Sequence, residues 1–364
     1  MKLLLVSKIS NTSRAVSAIA SYVKTGRRLG HEVAILGEQS TEAPELPRTL
    51  DVKSFDYVVF IVFMPADFPD LPYLAQLLDG VPRERRLIID WCGRYNETIR
   101  VEHDFNHLEL VDGHQGWEWV EGFKAVADKI VQPTLKPRRS DVQSFLFYGF
   151  DRELIAQDYA TAAAAATAWV GNGNGGKPYG ISYVGTNWQR WTQVRTMLTS
   201  VGPMRNQIGR TRLIGWDWAS RPKWAEDLNL RGVDVDRQML ADYGVQTQDA
   251  VPYTQVVARM GEGSFCPVFH RPLFNDLGLV TNRTFETFCA DSIPLLFLPE
   301  SFVEEIYGSA AQMLRVGDEP ARHIEAARRD PAPFWDAVLK TRQFLNDNHS
   351  YEKRFGELLS HLTN

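Results

Sequence analysis

The chain has 364 residues, of which 44% are hydrophobic and 23% are charged, with three cysteines and a net charge of −5 at pH 7. This composition excludes a fibre, a disordered chain and a disulfide-rich secreted scaffold. The slight acidity provides no strong positive field, so we expect no nucleic-acid partner. The length predicts about two domains, and the few scattered cysteines favour a cytoplasmic location.

The first half of the chain alternates predicted strands and helices. The strands are Lys2–Val6, Val33–Leu36, Tyr57–Phe63, Arg86–Trp91 and Lys129–Gln132, and the helices are Ser13–Leu29 and Trp117–Lys129. The first apolar run is too short for a secretory signal or a membrane span. The alternation predicts a parallel sheet with helices on both faces. The proline- and arginine-rich stretch Gln132–Asp141 predicts a domain boundary.

A second series of predicted strands and helices follows this boundary. Its strands are Phe145–Tyr148, Gly180–Val184, Arg212–Trp216, Ser264–Phe269 and Pro294–Leu298. Its helices are Asp151–Val170, Trp188–Ser200, Arg283–Ala290, Phe302–Ile306, His323–Arg328, Pro333–Asn346 and Tyr351–Leu362. The second half therefore predicts another parallel α/β sheet.

Three motifs favour a structural role over a ligand site. Gly171–Gly176 fits G-x-G-x-x-G, but it follows a helix and precedes a strand, the reverse of a dinucleotide loop. His103 and His107 lack the glutamate of HExxH, so we interpret them as polar loop residues. The D-x-D triplet Asp234–Asp236 does not follow a clear strand end.

Tryptophan is the compositional outlier. Five of the ten residues lie between Trp188 and Trp224. Tryptophans usually fill cores and use the indole N–H as a polar handle. Trp216 ends a predicted strand, and it is our candidate for contact with a ligand.

The strongest signal is the segment Val280–Leu298. Thr281 can cap a helix that begins at Arg283, at the carboxyl edge of the second sheet. Such a helix start offers free amides and a positive dipole to a phosphate. Arg271 and Arg283 could add fork-shaped contacts to a diphosphate, and Glu286 could accept hydrogen bonds from a ribose diol. The alternative is a capped structural helix with a surface carboxylate.

Four motifs resemble those of GT-B glycosyltransferases. They are Leu29–Val33 (LGHEV), Arg283–Glu286 (RTFE), Pro294–Leu296 (PLL) and His349–Arg354 (HSYEKR). Within that fold the chain is most similar to the spore-maturation-type bacterial glycosyltransferases. The resemblance implies an α/β architecture of two Rossmann-like parallel-sheet domains that face a cleft. The acceptor domain would be residues 1–145 and the donor domain residues 146–346, with helix 347–364 packing back on the first domain.

The resemblance also implies the roles of individual residues. Glu286 would hold the donor ribose, and Arg283 and Thr284 would lie near the diphosphate. Tyr253 falls where the family binds the nucleobase. The wall of the donor cleft would include Asn187 and Arg190.

Departures from the family pattern limit what the resemblance implies about mechanism. The segment Ser7–Arg14 after the first strand has no glycine, and Asp291-Ser292 replaces the small residues expected before the last strand. Leu279 and Ile293 stand where a second glutamate is common. The sequence therefore does not support a retaining mechanism of that pattern.

Sugar transfer from a nucleoside diphosphate sets two chemical requirements. The departing diphosphate needs positive charge, and the acceptor hydroxyl needs a base if the anomeric centre is inverted. Asp90, which ends a first-domain strand, is our candidate catalytic base, and Asp67 is the second. No D-x-D motif lies near the proposed site, so we expect no metal and no cofactor other than the nucleotide-sugar substrate.

The sequence leaves the partners and the reaction class partly open. The expected partners are a nucleotide-sugar donor and a glycan, lipid-linked or protein acceptor. Peripheral membrane contact and a homodimer remain open. The alternatives to a glycosyltransferase are a nucleotide-sugar epimerase of the same fold and a non-catalytic two-domain ligand-binding protein.

Overall fold

A computed structural model describes most of the chain. The described residues are 1–9, 12, 15–40, 43–62, 67–68, 71–93, 95, 99–102, 108–111, 122–170, 176–227, 232–317 and 319–364; the side chains of 71–73, 99–102, 108–111, 224 and 227 are not described. The motif residues His103 and His107 and most of the Gly171–Gly176 loop lie outside these ranges.

The first half forms a parallel sheet, as predicted. Its strands are β1 (Lys2–Val6), β2 (Glu32–Leu36), β3 (Arg48–Thr49), β4 (Tyr57–Val62), β5 (Arg86–Asp90), β8 (Lys129–Gln132) and β9 (Val142–Ser144). Their order is β3-β2-β1-β4-β5-β8-β9, and every pairing is parallel. A separate antiparallel hairpin, β6 (Ile99–Glu102) with β7 (Leu108–Val111), follows β5 in the chain.

The second half forms another parallel sheet. Its strands are β10 (Tyr179–Val184), β11 (Thr211–Ile214), β12 (Gln246–Gln248), β13 (Gly263–Phe269) and β14 (Ile293–Phe297), in the order β12-β11-β10-β13-β14. All seven residues of β13 are buried. This fits a strand near the middle of a sheet that helices cover on both faces.

Helices connect the strands of both sheets. They are α1 (Val16–Arg28), α2 (Leu71–Gly80), α3 (122–126), α4 (Ala162–Val170), α5 (Trp191–Val201), α6 (Arg205–Ile208), α7 (Lys223–Asp227), α8 (Arg237–Asp242), α9 (Val256–Gly261), α10 (Pro272–Leu277), α11 (Asn282–Cys289), α12 (Glu300–Tyr307), α13 (Pro320–Arg329), α14 (Ala332–His349) and α15 (Tyr351–Thr363). Among the helices that are described, none combines the length and apolar character needed to cross a bilayer.

The last helix, α15, packs on α1 and reaches the first residue of β8. Lys129 Nζ donates to the Leu362 carbonyl oxygen at 3.1 Å. A Cβ at Gly26 of α1 would lie 2.4 Å from Val33 and 2.9 Å from Phe355. Only glycine therefore lets α1 approach both β2 and α15 this closely.

The chain crosses between the two sheets at two neighbouring segments, 145–150 and 349–351. The Phe150 N–H donates to the His349 carbonyl oxygen at 2.7 Å. A Cβ at Gly149 would lie 3.0 Å from that same carbonyl oxygen. These contacts hold segments 145–150 and 349–351 side by side. The predicted strand Phe145–Tyr148 is wrong, because β9 ends at Ser144 and only the Phe145 N–H still bonds to β8, donating to the Gln132 carbonyl oxygen at 2.9 Å. The bridge to the second crossing lies further on, between Phe150 and Ser350.

The predicted helix Asp151–Val170 is too long by eleven residues. It begins only at Ala162, in the alanine run. Backbone groups ahead of it are bound elsewhere: the Ala156 N–H donates to the Cys289 carbonyl oxygen at 2.9 Å. These tertiary contacts outweigh local helix propensity.

Candidate functional site

The candidate site lies at the carboxyl edge of the second sheet. A glycine directly follows each of β10 and β11, Gly185 and Gly215, and both glycines line a cleft. Gly215 has a φ of 141°, and a Cβ there would lie 2.3 Å from the Gly185 carbonyl oxygen. The Trp218 indole N–H donates to that same oxygen at 2.7 Å. The two strand ends are thus held against each other, where open α/β sheets bind ligands.

Asn187 fixes the loops that follow these strands. Its backbone N–H donates to the Trp216 carbonyl oxygen at 3.0 Å. Its side-chain amide donates to the carbonyl oxygens of Asp217 and Val233 at 3.0 and 3.2 Å. Asn187 is fully buried and is not among the residues that line the cleft. In this structure it therefore positions Trp216, which is 38% exposed and does line the cleft.

The start of α11 faces the same cleft. Thr281 and Thr284 form a capping box, in which the Thr281 N–H donates to Thr284 Oγ1 at 2.9 Å. The Val280 N–H donates to the Pro133 carbonyl oxygen at 2.9 Å, which ties this helix start to the first domain. Thr281, Asn282 and Arg283 line the cleft, and Thr284 is buried behind them.

Arg283 and Glu286 form an ion pair one turn apart at this helix start. The Arg283 Nε also donates to the Val184 carbonyl oxygen at 2.7 Å. Glu286 is 7% exposed, and its Oε1 accepts from the Ser17 hydroxyl at 2.8 Å. Glu286, the residue expected to bind the ribose, is therefore held by Ser17 of the first domain and Arg283 of the second.

Two further arginines line the cleft. The guanidinium of Arg271 is 4.5 Å from the ring centroid of Trp188 and 4.2 Å from that of Phe274. Arg190 donates to the carbonyl oxygens of Phe269 and Thr186 at 3.1 and 2.9 Å. Both guanidinium groups are thus fixed before any ligand binds.

The cleft encloses a cavity of about 140 Å³. Among the described residues that line it, Arg190, Arg271 and Arg283 are cationic, and Glu286 is the one carboxylate. This excess of positive charge beside a helix N-terminus suits an anionic ligand such as a diphosphate. The described residues contain no group of three or more histidine, cysteine or acidic side chains placed to hold a metal. Independence from metal stays a prediction.

Tyr253 lines the end of the cleft near α9. Its hydroxyl donates to the Glu45 carboxylate of the first domain. Burial and the Glu45 carboxylate raise the pKa of Tyr253 well above its ordinary value. The phenol is therefore a hydrogen-bond donor at any physiological pH.

Asp90 lies at the end of β5, but it does not line the cleft. It is fully buried, and its Oδ2 accepts from the Tyr95 backbone N–H at 2.6 Å and from the Gln132 amide at 2.8 Å. In this conformation the carboxylate anchors the segment after β5. Asp67 is half-buried and also does not line the cleft. The role of Asp90 as catalytic base stays a prediction.

The D-x-D triplet has a structural role, as interpreted from sequence. Asp236 caps α8 by accepting from the Met239 N–H at 2.9 Å, and Asp234 pairs with Arg221. Two tryptophans of the Trp188–Trp224 cluster, Trp191 and Trp218, are buried core residues.

Sequence reasoning missed several residues that line the cleft. They are Ser17, Trp91, Cys92, Tyr148, Trp188 and Phe274. Ser17, Trp91 and Cys92 follow first-sheet strands, so the rule that ligands bind at carboxyl strand ends could have found them. Phe274 lies on α10 directly after β13, so the same rule could have found it, whereas Tyr148 lies in the segment that crosses between the sheets.

No protein-family model matches the sequence, and no curated protein matches it. Solved structures are similar over the whole chain. An α-glucosyltransferase in complex with UDP and a DNA 13-mer has a TM-score of 0.66 at 12% identity, covering 100% of both chains. T4 phage BGT in complex with its UDP-glucose substrate has a TM-score of 0.55 at 10% identity, again covering 100% of both.

The Anabaena protein HepE in complex with UDP and glucose has a TM-score of 0.54 at 10% identity, covering 100% of this chain and 99% of that one. Identities this low show the fold alone. The predicted fold class is confirmed: two parallel-sheet α/β domains in the GT-B arrangement.

Proposed function

We propose that this protein is a glycosyltransferase that moves a sugar from a nucleoside-diphosphate donor to an acceptor bound by the first domain. The observation that carries the proposal is the cationic cavity at the start of α11, where three arginines face one carboxylate. The likeness to GT-B glycosyltransferases supports it at the level of fold. Similarity to the spore-maturation-type family remains part of the proposal.

Different residues of the donor site bind the diphosphate, the ribose and the nucleobase. Arg283, Arg271 and the α11 amides hold the diphosphate, with Arg190 beside them. As the glycosidic bond breaks, negative charge develops on the departing diphosphate, and fixed cations stabilise it without rearranging. Glu286 accepts hydrogen bonds from the ribose hydroxyls. Trp216 and Tyr253, at the other end of the cleft, contact the nucleobase.

UDP is the first nucleotide to test. UDP or UDP-glucose is bound in each of the three similar structures. A hexose is our proposed donor sugar, supported by the glucose or UDP-glucose in two of these structures. The chain's own residues supply the positive charge that the diphosphate needs, so the proposal requires neither a metal nor a further cofactor.

The acceptor is proposed to be a glycan, a lipid-linked sugar or a protein. The α-glucosyltransferase structure contains DNA, which makes DNA the competing acceptor class. Three arginines of the first domain, Arg83, Arg138 and Arg139, each pair with an aspartate. The whole chain has a net charge of −5, and these paired arginines offer little free positive charge to a phosphate backbone.

Calorimetric titration with UDP tests the donor site. We expect wild-type protein to bind UDP and Glu286→Gln to bind it at least about tenfold more weakly, because the neutral amide loses charge-assisted acceptance. Glu319→Gln is the matched control, since Glu319 pairs with Arg322 at the same spacing but in an exposed position. Failure of the wild-type protein to bind UDP, UDP-glucose or any other nucleotide would refute the proposal.

Product analysis separates the remaining reaction classes. Transfer releases UDP from UDP-glucose and adds a sugar to an acceptor. Interconversion of nucleotide sugars without release of UDP indicates an epimerase. Binding with no turnover on any acceptor, including DNA with modified bases, indicates a ligand-binding protein.

A further inference from the structure

A second cavity, of about 520 Å³, lies in the first domain at the outer edge of its sheet. We call it the edge cavity, and its walls are the end of α1, the start of β2 and the segment 47–55. Among the described residues, it shares none of its lining with the donor cleft. The donor cleft meets the carboxyl ends of strands, whereas this cavity meets the amino end of β2. Its volume is large enough for a small molecule.

Two arginines of the edge cavity have no charged partner. Arg27, in the last turn of α1, and Arg48, in β3, form no salt bridge or side-chain hydrogen bond with the part of the chain that the structure describes. Arg28, the neighbour of Arg27, instead pairs with Glu352. The Nε of Arg48 is buried from solvent. Because buried donors normally have an acceptor, this guanidinium indicates that the cavity suits an anion.

The two carboxylates that line the edge cavity already have partners. Glu32 pairs with Lys2 at 3.0 Å. Asp51 accepts from the Lys53 backbone N–H at 3.0 Å, and hydrogen bonds from the Ser54 hydroxyl and from this N–H lower the pKa of Asp51. Neither carboxylate pairs with the two arginines, so both guanidinium groups remain available to a ligand.

The turn after α1 adds another nitrogen to the cavity wall. The Nδ1 of His31 is buried and has no hydrogen-bond partner among the described residues. The His31 ring packs against Phe355, with 5.1 Å between the ring centroids. The Gly30 and His31 N–H groups donate to the carbonyl oxygens of Arg27 and Gly26 at 3.1 and 2.8 Å. These carbonyl groups are therefore paired within the turn, which weakens the repulsion that a helix C-terminus exerts on an anion.

The edge of the sheet supplies a backbone donor. β3 pairs with β2 only at Ile35 and Leu36, and the Ile35 N–H donates to the Pro47 carbonyl oxygen at 2.9 Å. Alternate residues of a strand point their N–H groups to the same side, so the Val33 N–H points outward as that of Ile35 does. β3 does not extend to Val33, which lines the cavity. The Val33 N–H is therefore a donor at the cavity wall.

We propose that the edge cavity binds a small molecule through a phosphate group, which accepts hydrogen bonds from Arg27, Arg48 and the Val33 N–H. These donors outnumber the two oxygens of a carboxylate and suit the three terminal oxygens of a phosphate monoester. The phosphate fills part of the cavity, and the remaining volume holds the rest of the molecule beside Val23 and Phe55. This inference does not rest on the proposed function.

The histidine ring signals in NMR spectra give a readout specific to the edge cavity, because the arginines of the donor cleft can also attract phosphate. Inorganic phosphate, titrated at constant pH and low ionic strength, is expected to shift the His31 signal, which is identified by its loss in His31→Gln. We expect Arg27→Gln and Arg48→Gln each to bind this phosphate at least about tenfold more weakly, because each loses a charge-assisted contact. A His31 signal that phosphate does not shift overturns the inference.

Two control variants separate the edge cavity from its surroundings. Arg28→Gln removes the same charge from the same turn of α1, but Arg28 does not line the edge cavity. Arg283→Gln removes a charge from the donor cleft. Both controls are expected to retain the phosphate affinity of the wild type at His31, and melting temperatures establish that all variants are folded. Equal phosphate affinity in Arg48→Gln and Arg28→Gln overturns the inference.

Glucose 6-phosphate and glucuronate distinguish a phosphate from a carboxylate on similar sugars. We expect glucose 6-phosphate to shift the His31 signal at lower concentrations than glucuronate does. Glucuronate binding that is equally tight or tighter overturns the assignment to a phosphate. Neither measurement uses UDP, so failure of the chain to bind UDP refutes the proposed function alone.

Discussion

Arg271 brings its positive charge to the cleft between two aromatic rings. It is 1% exposed, and its guanidinium lies against the faces of Trp188 and Phe274. A desolvated cation–π contact contributes about 2 kcal/mol. The two rings therefore hold the guanidinium at the cleft wall, where it can stabilise a diphosphate without first being ordered.

We expect Trp188→Leu to weaken UDP binding by about 3- to 10-fold, because one aromatic face of this arrangement is lost. Trp188→Phe keeps an aromatic face and is expected to retain most of the affinity. Calorimetric titration measures both, and melting temperatures establish that both variants are folded. Equal affinity in the leucine and phenylalanine variants would contradict a role for the ring face.

Asp90 is a second residue whose environment leads to a clear expectation. Its buried Oδ2 accepts two hydrogen bonds, from the Tyr95 N–H and the Gln132 amide. Hydrogen bonds to a charged acceptor contribute about 1.5–3 kcal/mol. Asp90→Asn should therefore lower the melting temperature by several degrees, as thermal unfolding would show. An unchanged melting temperature with transfer lost and UDP affinity retained would instead favour Asp90 as the catalytic base.

At the scale of elements, α11 depends on a residue far away in the sequence. Arg342, on α14, is 4% exposed and donates to the carbonyl oxygens of Phe288 at 2.7 Å and of Gln157 and Ala290 at 3.0 Å. A cation at a helix C-terminus satisfies carbonyl groups that have no partner within the helix. Arg342 thereby fixes the far end of the helix whose start faces the cleft.

Arg342→Lys keeps the charge but cannot reach three carbonyl groups in fixed directions. We expect a lower melting temperature and weaker UDP binding, because α11 loses its fixed end. Arg322→Lys, an exposed change on α13, serves as the control. Thermal unfolding and UDP titration together measure the effect. Stability and affinity equal to those of the control would show that α11 is positioned without Arg342.

The elements that were predicted well are those with local signals. For α11 the capping threonines lie within the segment, and the predicted start, Arg283, is one residue from the observed start. The helix predicted over residues 151–170 was wrong in its first part, because Ala156 and Gln157 form hydrogen bonds with Cys289 and Arg342, which are distant in sequence. Partners this far away in the sequence cannot be predicted from a local sequence pattern.

At the scale of the molecule, the alternation of strands and helices was enough to predict two parallel sheets. The cationic half of the site was also predictable, because Arg271, Arg283 and Glu286 follow from one strand end and one helix start. The residues that the first domain contributes to the site could not be predicted from the sequence. Ser17 lies 269 residues from Glu286, and only the packing of the domains brings them together.

His349 lies where the chain returns to the first domain, and its titration makes the stability of the folded protein depend on pH. Burial, and then the charges of Arg354 and Lys353, lower the pKa of His349 to about 4. Its ring packs near Phe285 and Phe344. An unfolded histidine titrates near pH 6.5, so between about pH 6.5 and 4 the unfolded chain binds a proton that the folded chain excludes. Stability is then complete above pH 6.5 and falls with decreasing pH in that window.

We expect His349→Phe to flatten this acid-side loss, because phenylalanine fills an apolar ring site and binds no proton. The difference between wild type and variant should change by up to about 1.4 kcal/mol per pH unit between pH 6.5 and 4. His270, whose pKa burial lowers to about 3, is present in both proteins, so its contribution cancels. Denaturant unfolding at several pH values measures the difference. Parallel stability curves for the two proteins would mean that proton uptake at the domain junction does not contribute to acid unfolding.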